Sequence, residues 1–170
     1  LSATFGRVEA WMADIMETHL AYPVLSYFRS THDLQSWVGT IGALMDAATL
    51  VITTVDIGHV GAARMLSRLG RHMVSDFARY YNFKEDPDGA PGIDRAEFDQ
   101  VFERLSAHGL RMREAEKAWV DFAALRGSYA APLISMAQWW RIPPALWIGD
   151  RSIISPRHAP AALVAPRADP

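Results

Sequence analysis

The sequence predicts an all-α protein: a single compact bundle of about six helices around a long central helix, with a loose C-terminal tail. Three observations carry this. Apolar residues recur at three- and four-residue steps over most of the chain, no stretch of useful length alternates in the manner of a strand, and Gly, Pro or Asp clusters fall between the periodic segments. At 170 residues one core can bury about 70% of the surface its unfolded chain exposes, so a single domain is expected. The helical domain is assigned to residues 1–150, in halves 1–83 and 94–150 joined by the loop 84–93, and residues 151–170 to a Pro/Ala/Arg-rich tail.

In the first helix, Ser2 stands at the cap position and Phe5, Val8, Trp11, Met12, Ile15 and Met16 form the apolar stripe as far as Leu20. Tyr22-Pro23 ends it, and Val24 to Arg29 reads as an aromatic connector packed on the core. Ser30 with Asp33 fits a capping box for the central helix, which carries Leu34, Trp37, Val38, Ile41, Leu44, Met45, Ala48 and Ile52. Leu34 to Val55 is also long enough to cross a bilayer. Its single charge, Asp46, costs about 2.5 to 3.5 kcal/mol at mid-membrane, and six Gln, Ser and Thr residues dilute it further. A helix buried nearly all round inside the bundle is the reading preferred.

Gly58 and Gly61 mark a break, after which Val60, Leu66, Leu69, Met73, Phe77 and Tyr80 or Tyr81 stripe the next helix to about Asn82. Lys84 to Gly92 is the strongest loop signal. Asp94 caps a helix through Phe98, Val101, Phe102 and Leu105, closed by a left-handed Gly109. The following helix starts near Arg113 and uses Ala118, Trp119, Phe122 and Leu125. Ser128 to Trp140 makes a last short one, with Pro132 in its first turn, Leu133, Met136, Ala137 and Trp140 inward, and Pro143-Pro144 beyond it. Pro156, Pro160, Pro166 and Pro170 leave the tail without periodicity.

Composition narrows the function classes. Half the residues are apolar and 21% are charged, too rich a mix for a disordered chain. A formal net charge of −2 argues against a nucleic-acid-binding surface. The absence of cysteine removes disulfides, thiolate nucleophiles and sulfur-based zinc sites. No charged segment followed by an apolar one opens the chain, so no signal peptide is expected, and Leu1 in place of Met suggests that a longer protein was cut. No serine sits in a Gly-flanked elbow and no phosphate-binding glycine loop occurs, so neither catalytic residues nor a cofactor is expected.

Three constellations remain. Asp86 to Phe98 echoes a calcium loop, but its fifth position is Ala90 and its sixth, where the turn needs glycine, is Pro91. A solvated loop leading into the Asp94 cap is the simpler reading, and no metal is expected. His72 and Asp76 stand one helical turn apart. With Arg29, His32 and Asp46 they are expected to form a buried polar cluster if their helices pack together, fixing the packing or holding a ligand. The alternative, from another class, is a small-molecule or metal-dependent enzyme built on His32, Asp46, His72 and Asp76. Finally, Arg64, Arg68, Arg71 and Arg79 follow turn spacing. They read first as a solvated face, with contact between anionic lipid headgroups and Arg64, Arg68 and Arg71 as the alternative.

The stretch His19-Leu-Ala-Tyr22-Pro23-Val-Leu-Ser-Tyr27-Phe28-Arg29-Ser30-Thr-His32-Asp-Leu-Gln35-Ser36-Trp37, continuing to Leu44-Met-Asp46, resembles a segment of bacterial two-transmembrane potassium-channel-like proteins, where it lies after the pore in the soluble C-terminal region. Arg71-His72-Met-Val-Ser-Asp76 and Tyr129 to Trp147 are similar more loosely, and together the pieces cover most of residues 8 to 148. The resemblance implies a cytoplasmic helical module on the inner-membrane side of a two-helix pore. Its role there would be assembly or gating rather than enzymatic, in a homo-oligomer held together through the pore. The residues given contain neither pore helices nor a Gly-Tyr-Gly filter, so conduction is not legible in them.

Overall fold

The computed structural model describes residues 2–27, 36–83 and 93–142. Six α-helices and one short 3-10 turn occupy them, in the order α1 (Ser2–Ala21), the turn Pro23–Tyr27, α2 (Trp37–Thr54), α3 (Gly61–Tyr80), α4 (Arg95–Ala107), α5 (Ala115–Gly127) and α6 (Ala130–Trp139). The helical bundle expected from the sequence is the fold observed.

The central position of α2 follows from its composition. Val38, Ile41, Met45, Ala48 and Ile52 are buried on one side, and Thr49 and Thr53 are buried as well. Such a helix needs neighbours on several sides, and α3, α5 and α6 supply them. It is long and apolar enough to cross a membrane, but its polar residues Asp46 and Thr49 have partners elsewhere in the bundle: the Tyr129 hydroxyl stands 2.6 Å from Asp46 and 3.0 Å from Thr49. The helix begins later than expected. Its cap is Ser36, whose Oγ accepts from the Gly39 N–H at 3.3 Å, whereas the Ser30 and Asp33 capping box lies outside the described residues. Ser2, assigned as the first cap, lies within α1 instead.

The main core joins Phe5, Met12 and Ile15 of α1, the buried side of α2, Leu66, Met73, Val74 and Phe77 of α3, and Tyr129, Met136 and Trp140 from the end of the chain. The sixth helix thus completes the core of the first three. Only α4 stands apart. It docks through Phe98 on Ala118 and Phe122 of α5, beneath Leu50 of α2. Two expected core residues face solvent: Trp11, 36% exposed, and Tyr80, 54% exposed, leaving Tyr81 as the inward ring of that pair.

One close approach sets the spacing of α2 and α3. A Cβ on Gly70 would stand 2.7 Å from the Met45 sulfur and 2.8 Å from its Cγ, so glycine lets the helices pack around that side chain.

The helix ends show how much of the boundary chemistry is local. Asp94 Oδ1 accepts from the Glu97 N–H at 2.8 Å, as its position predicts, and Gly109 has φ +80° beyond α4. The cap of α5 is Glu114, whose carboxylate accepts from the backbone N–H groups of Lys117 and Glu116; those bonds, Lys117's first, hold its pKa below the usual value. α3 and α6 end alike. Asn82 and Arg141 take positive φ, and the next residues, Phe83 and Ile142, donate back to Ala78 and Ala137 at 3.0 and 2.8 Å.

Candidate functional site

The bundle has two chemically different ends and one polar node between them. At one end α1 and α3 finish, α2 starts and α6 finishes. There Trp37 packs against His19 (ring centroids 4.9 Å apart), Phe77 (5.2 Å) and Trp140 (5.2 Å), and Tyr81 stacks against Phe77 and Phe83. His19 lies near the end of α1 and Trp37 opens α2, so the fold brings the two helix ends together. The His19 Nδ1–H donates to the Ile15 carbonyl at 3.0 Å. Burial beside the rings lowers its pKa below 6.5, and the Ile15 carbonyl opposes part of that shift.

Outward from these rings the surface is apolar. Ser26 is buried and its hydroxyl meets that of Tyr81 at 2.8 Å, which anchors the turn Pro23–Tyr27 to α3. The same turn holds Val24 (60% exposed), Leu25 (37%) and Tyr27 (60%) in solvent, Tyr22 just before it is 65% exposed, and Tyr80 and Trp139 are exposed nearby on the ends of α3 and α6. Scattered exposed apolar residues are ordinary; six large ones at one end of a small bundle are not.

The polar node lies at Asp46, midway along α2. The buried Tyr129 hydroxyl donates to Asp46 Oδ1 at 2.6 Å, which leaves its oxygen to accept from Thr49 Oγ1 at 3.0 Å. Arg126 Nε stands 3.3 Å from the same carboxylate oxygen, close enough to attract but off the line of a hydrogen bond. Burial first, then the Asp46 charge, raises the Tyr129 pKa, so the phenol stays protonated and the bond persists.

Of the expected cluster of Arg29, His32, Asp46, His72 and Asp76, the three described members, Asp46, His72 and Asp76, do not share one buried site. Asp46 turns toward α5 and α6. His72 and Asp76 pair at 3.2 Å on the outer side of α3, where Asp76 also meets Arg79 at 3.5 Å, and the His72 side chain is 64% exposed. Helix phase is the reason: α3 buries Met73 and Phe77, which turns the residues one position earlier outward. Arg29 and His32 lie outside the described residues, as do residues 84–92 of the loop weighed for calcium. Among the described residues no three His, Asp or Glu side chains converge as a metal would require. Tyr129 and Arg126, which meet Asp46, and Thr49, which meets the Tyr129 hydroxyl, were not legible as such. A tyrosine opening an apolar helix is the one available signal, because a buried phenol needs a partner.

The arginine stripe divides. Arg64 and Arg71 line a cleft between α3 and α5, joined by Arg113 from the segment before α5. Arg68 instead borders a shallow hollow with Glu9, Met65, Leu69 and His72.

Comparison with known proteins finds no match: no family model, no curated protein and no solved structure is similar to the chain.

Proposed function

We propose that this chain is the cytoplasmic assembly or gating domain of a bacterial potassium-channel-like membrane protein, and that it works by packing against neighbouring copies of itself. The observation that carries this reading is the exposed face of Tyr22, Val24, Leu25 and Tyr27, which coincides with the segment of strongest resemblance to that family. A cytoplasmic module on a pore assembly is held beside its copies at high effective concentration, so an apolar surface of modest size suffices for contact. The matching ends of α3 and α6 present Tyr80 and Trp139 at the same end of the bundle, extending that surface.

The test is the oligomeric state. Size-exclusion chromatography with light scattering, followed over rising concentration, is expected to show reversible association that Tyr22→Ser/Tyr27→Ser weakens while leaving the helical signal unchanged. A strict monomer at the highest concentration sinks the assembly mechanism. The channel context has its own check in the coding sequence ahead of Leu1: a filter motif between two apolar spans supports it, and a signal peptide there removes it.

A further inference from the structure

We propose that the cleft lined by Arg64, Arg71 and Arg113 binds a phosphate-bearing group. The cleft lies between the C-terminal half of α2, α3 and α5 and has a volume of about 450 Å³, within the range of about 300 to 1,000 Å³ typical of small-molecule sites. Its floor is apolar, with Ile52 of α2 and Leu125 of α5.

Its walls carry charge that the protein leaves unanswered. Arg79 pairs with Asp76, Arg95 with Asp99 and Glu116, Arg111 with Asp56, and Arg126 with Asp46. Arg64, Arg71 and Arg113 have no carboxylate within ion-pair distance among the described residues; the other described arginines of that kind, Arg7, Arg68 and Arg104, do not line it. The one acid in the lining, Asp121, is held by Lys117 at 2.8 Å and so does little to neutralise the arginines. In a chain of formal charge −2 this is a local excess of positive charge along an open cleft.

The three guanidiniums rest on structure that fixes where they start. Arg64 and Arg71 are two turns apart on α3 and share a face. The Arg113 backbone is pinned to the end of α2: its N–H donates to the Thr54 carbonyl at 2.8 Å, the Asp56 N–H donates to the Arg111 carbonyl at 2.7 Å, and Val55 bridges to Met112 between them. Planar guanidiniums that line one cleft from two elements suit tetrahedral, multiply charged oxyanions, which accept several forked hydrogen bonds at once. The volume exceeds that of a bare phosphate, so the ligand class is a phosphate ester, from either a soluble metabolite or a phospholipid headgroup.

This inference is independent of the assembly reading, and its experiment uses the whole chain. Inorganic pyrophosphate is titrated against chloride at matched ionic strength while the melting temperature is followed; in parallel, the chain is sedimented with phosphatidylglycerol-containing and with pure phosphatidylcholine vesicles. Arg71→Gln and Arg113→Gln are expected to weaken the response by roughly tenfold or more each, while Arg104→Gln, an unpaired arginine elsewhere, leaves it intact. A pyrophosphate response lost in the two variants supports a soluble ester; selective sedimentation with the anionic vesicles, lost in the same variants without a pyrophosphate response, supports a headgroup. No response to either, or one that Arg104→Gln weakens as much, overturns the proposal.

Discussion

Asp46 and Asp76 have nearly the same local company and opposite roles. Each lies within a helix, each has an arginine within 3.5 Å, and each receives or faces a ring group within 3.2 Å. The difference is in the partners. Around Asp46 they are Arg126, 17% exposed, and Tyr129, 1% exposed; around Asp76 they are His72 and Arg79, with side chains 64% and 77% exposed. Water can replace either partner of Asp76 at little cost, whereas nothing replaces a buried phenol's partner. Spacing along one helix therefore identifies a pair, and only the packing of other helices makes that pair matter.

This contrast is open to measurement. The largest effect belongs to Asp46→Ala, which takes the charged acceptor from the Tyr129 hydroxyl, leaving it Thr49 Oγ1, and takes the carboxylate from Arg126; denaturant unfolding is expected to show a loss of about 2 to 4 kcal/mol. Tyr129→Phe, which removes the donor and keeps the ring, should cost about 1 to 2 kcal/mol. In the double variant the two losses should fall short of additive, and strict additivity would show that the two groups do not interact. The pH dependence comes next. His19 has a folded pKa below its unfolded value of 6.5, so the unfolded chain takes up the proton first. Its contribution is complete above pH 6.5 and is lost as pH falls through the folded value. Melting temperatures should decline over that window, and His19→Gln should flatten the decline. Asp76→Ala is the smallest change, within about 0.5 kcal/mol; a loss as large as that of Asp46→Ala would erase the distinction.

The helices were legible because their signals are local. The Asp94 cap, the left-handed Gly109 and the apolar steps of α2 involve residues within a turn or two of each other. The node around Asp46 was only half legible. Its partner Tyr129 lies 83 positions away, and which face of α6 meets α2 depends on the turn at Ser128 and on Leu133 fitting against Gly42. Arg113 escaped notice for a related reason: it belongs to no periodic stripe, and it joins Arg64 and Arg71 only because the segment before α5 pairs with the end of α2. Val24 to Arg29 was expected as a connector packed on the core, yet of its described residues, Val24 to Tyr27, only Ser26 is buried.

α2 has a consequence of its own. Its 18 residues make a rod about 27 Å long, seated at one end among the rings around Trp37 and hydrogen-bonded at the other to Arg113. Whatever occupies the arginine cleft and whatever meets the aromatic end therefore touch the two ends of a single helix.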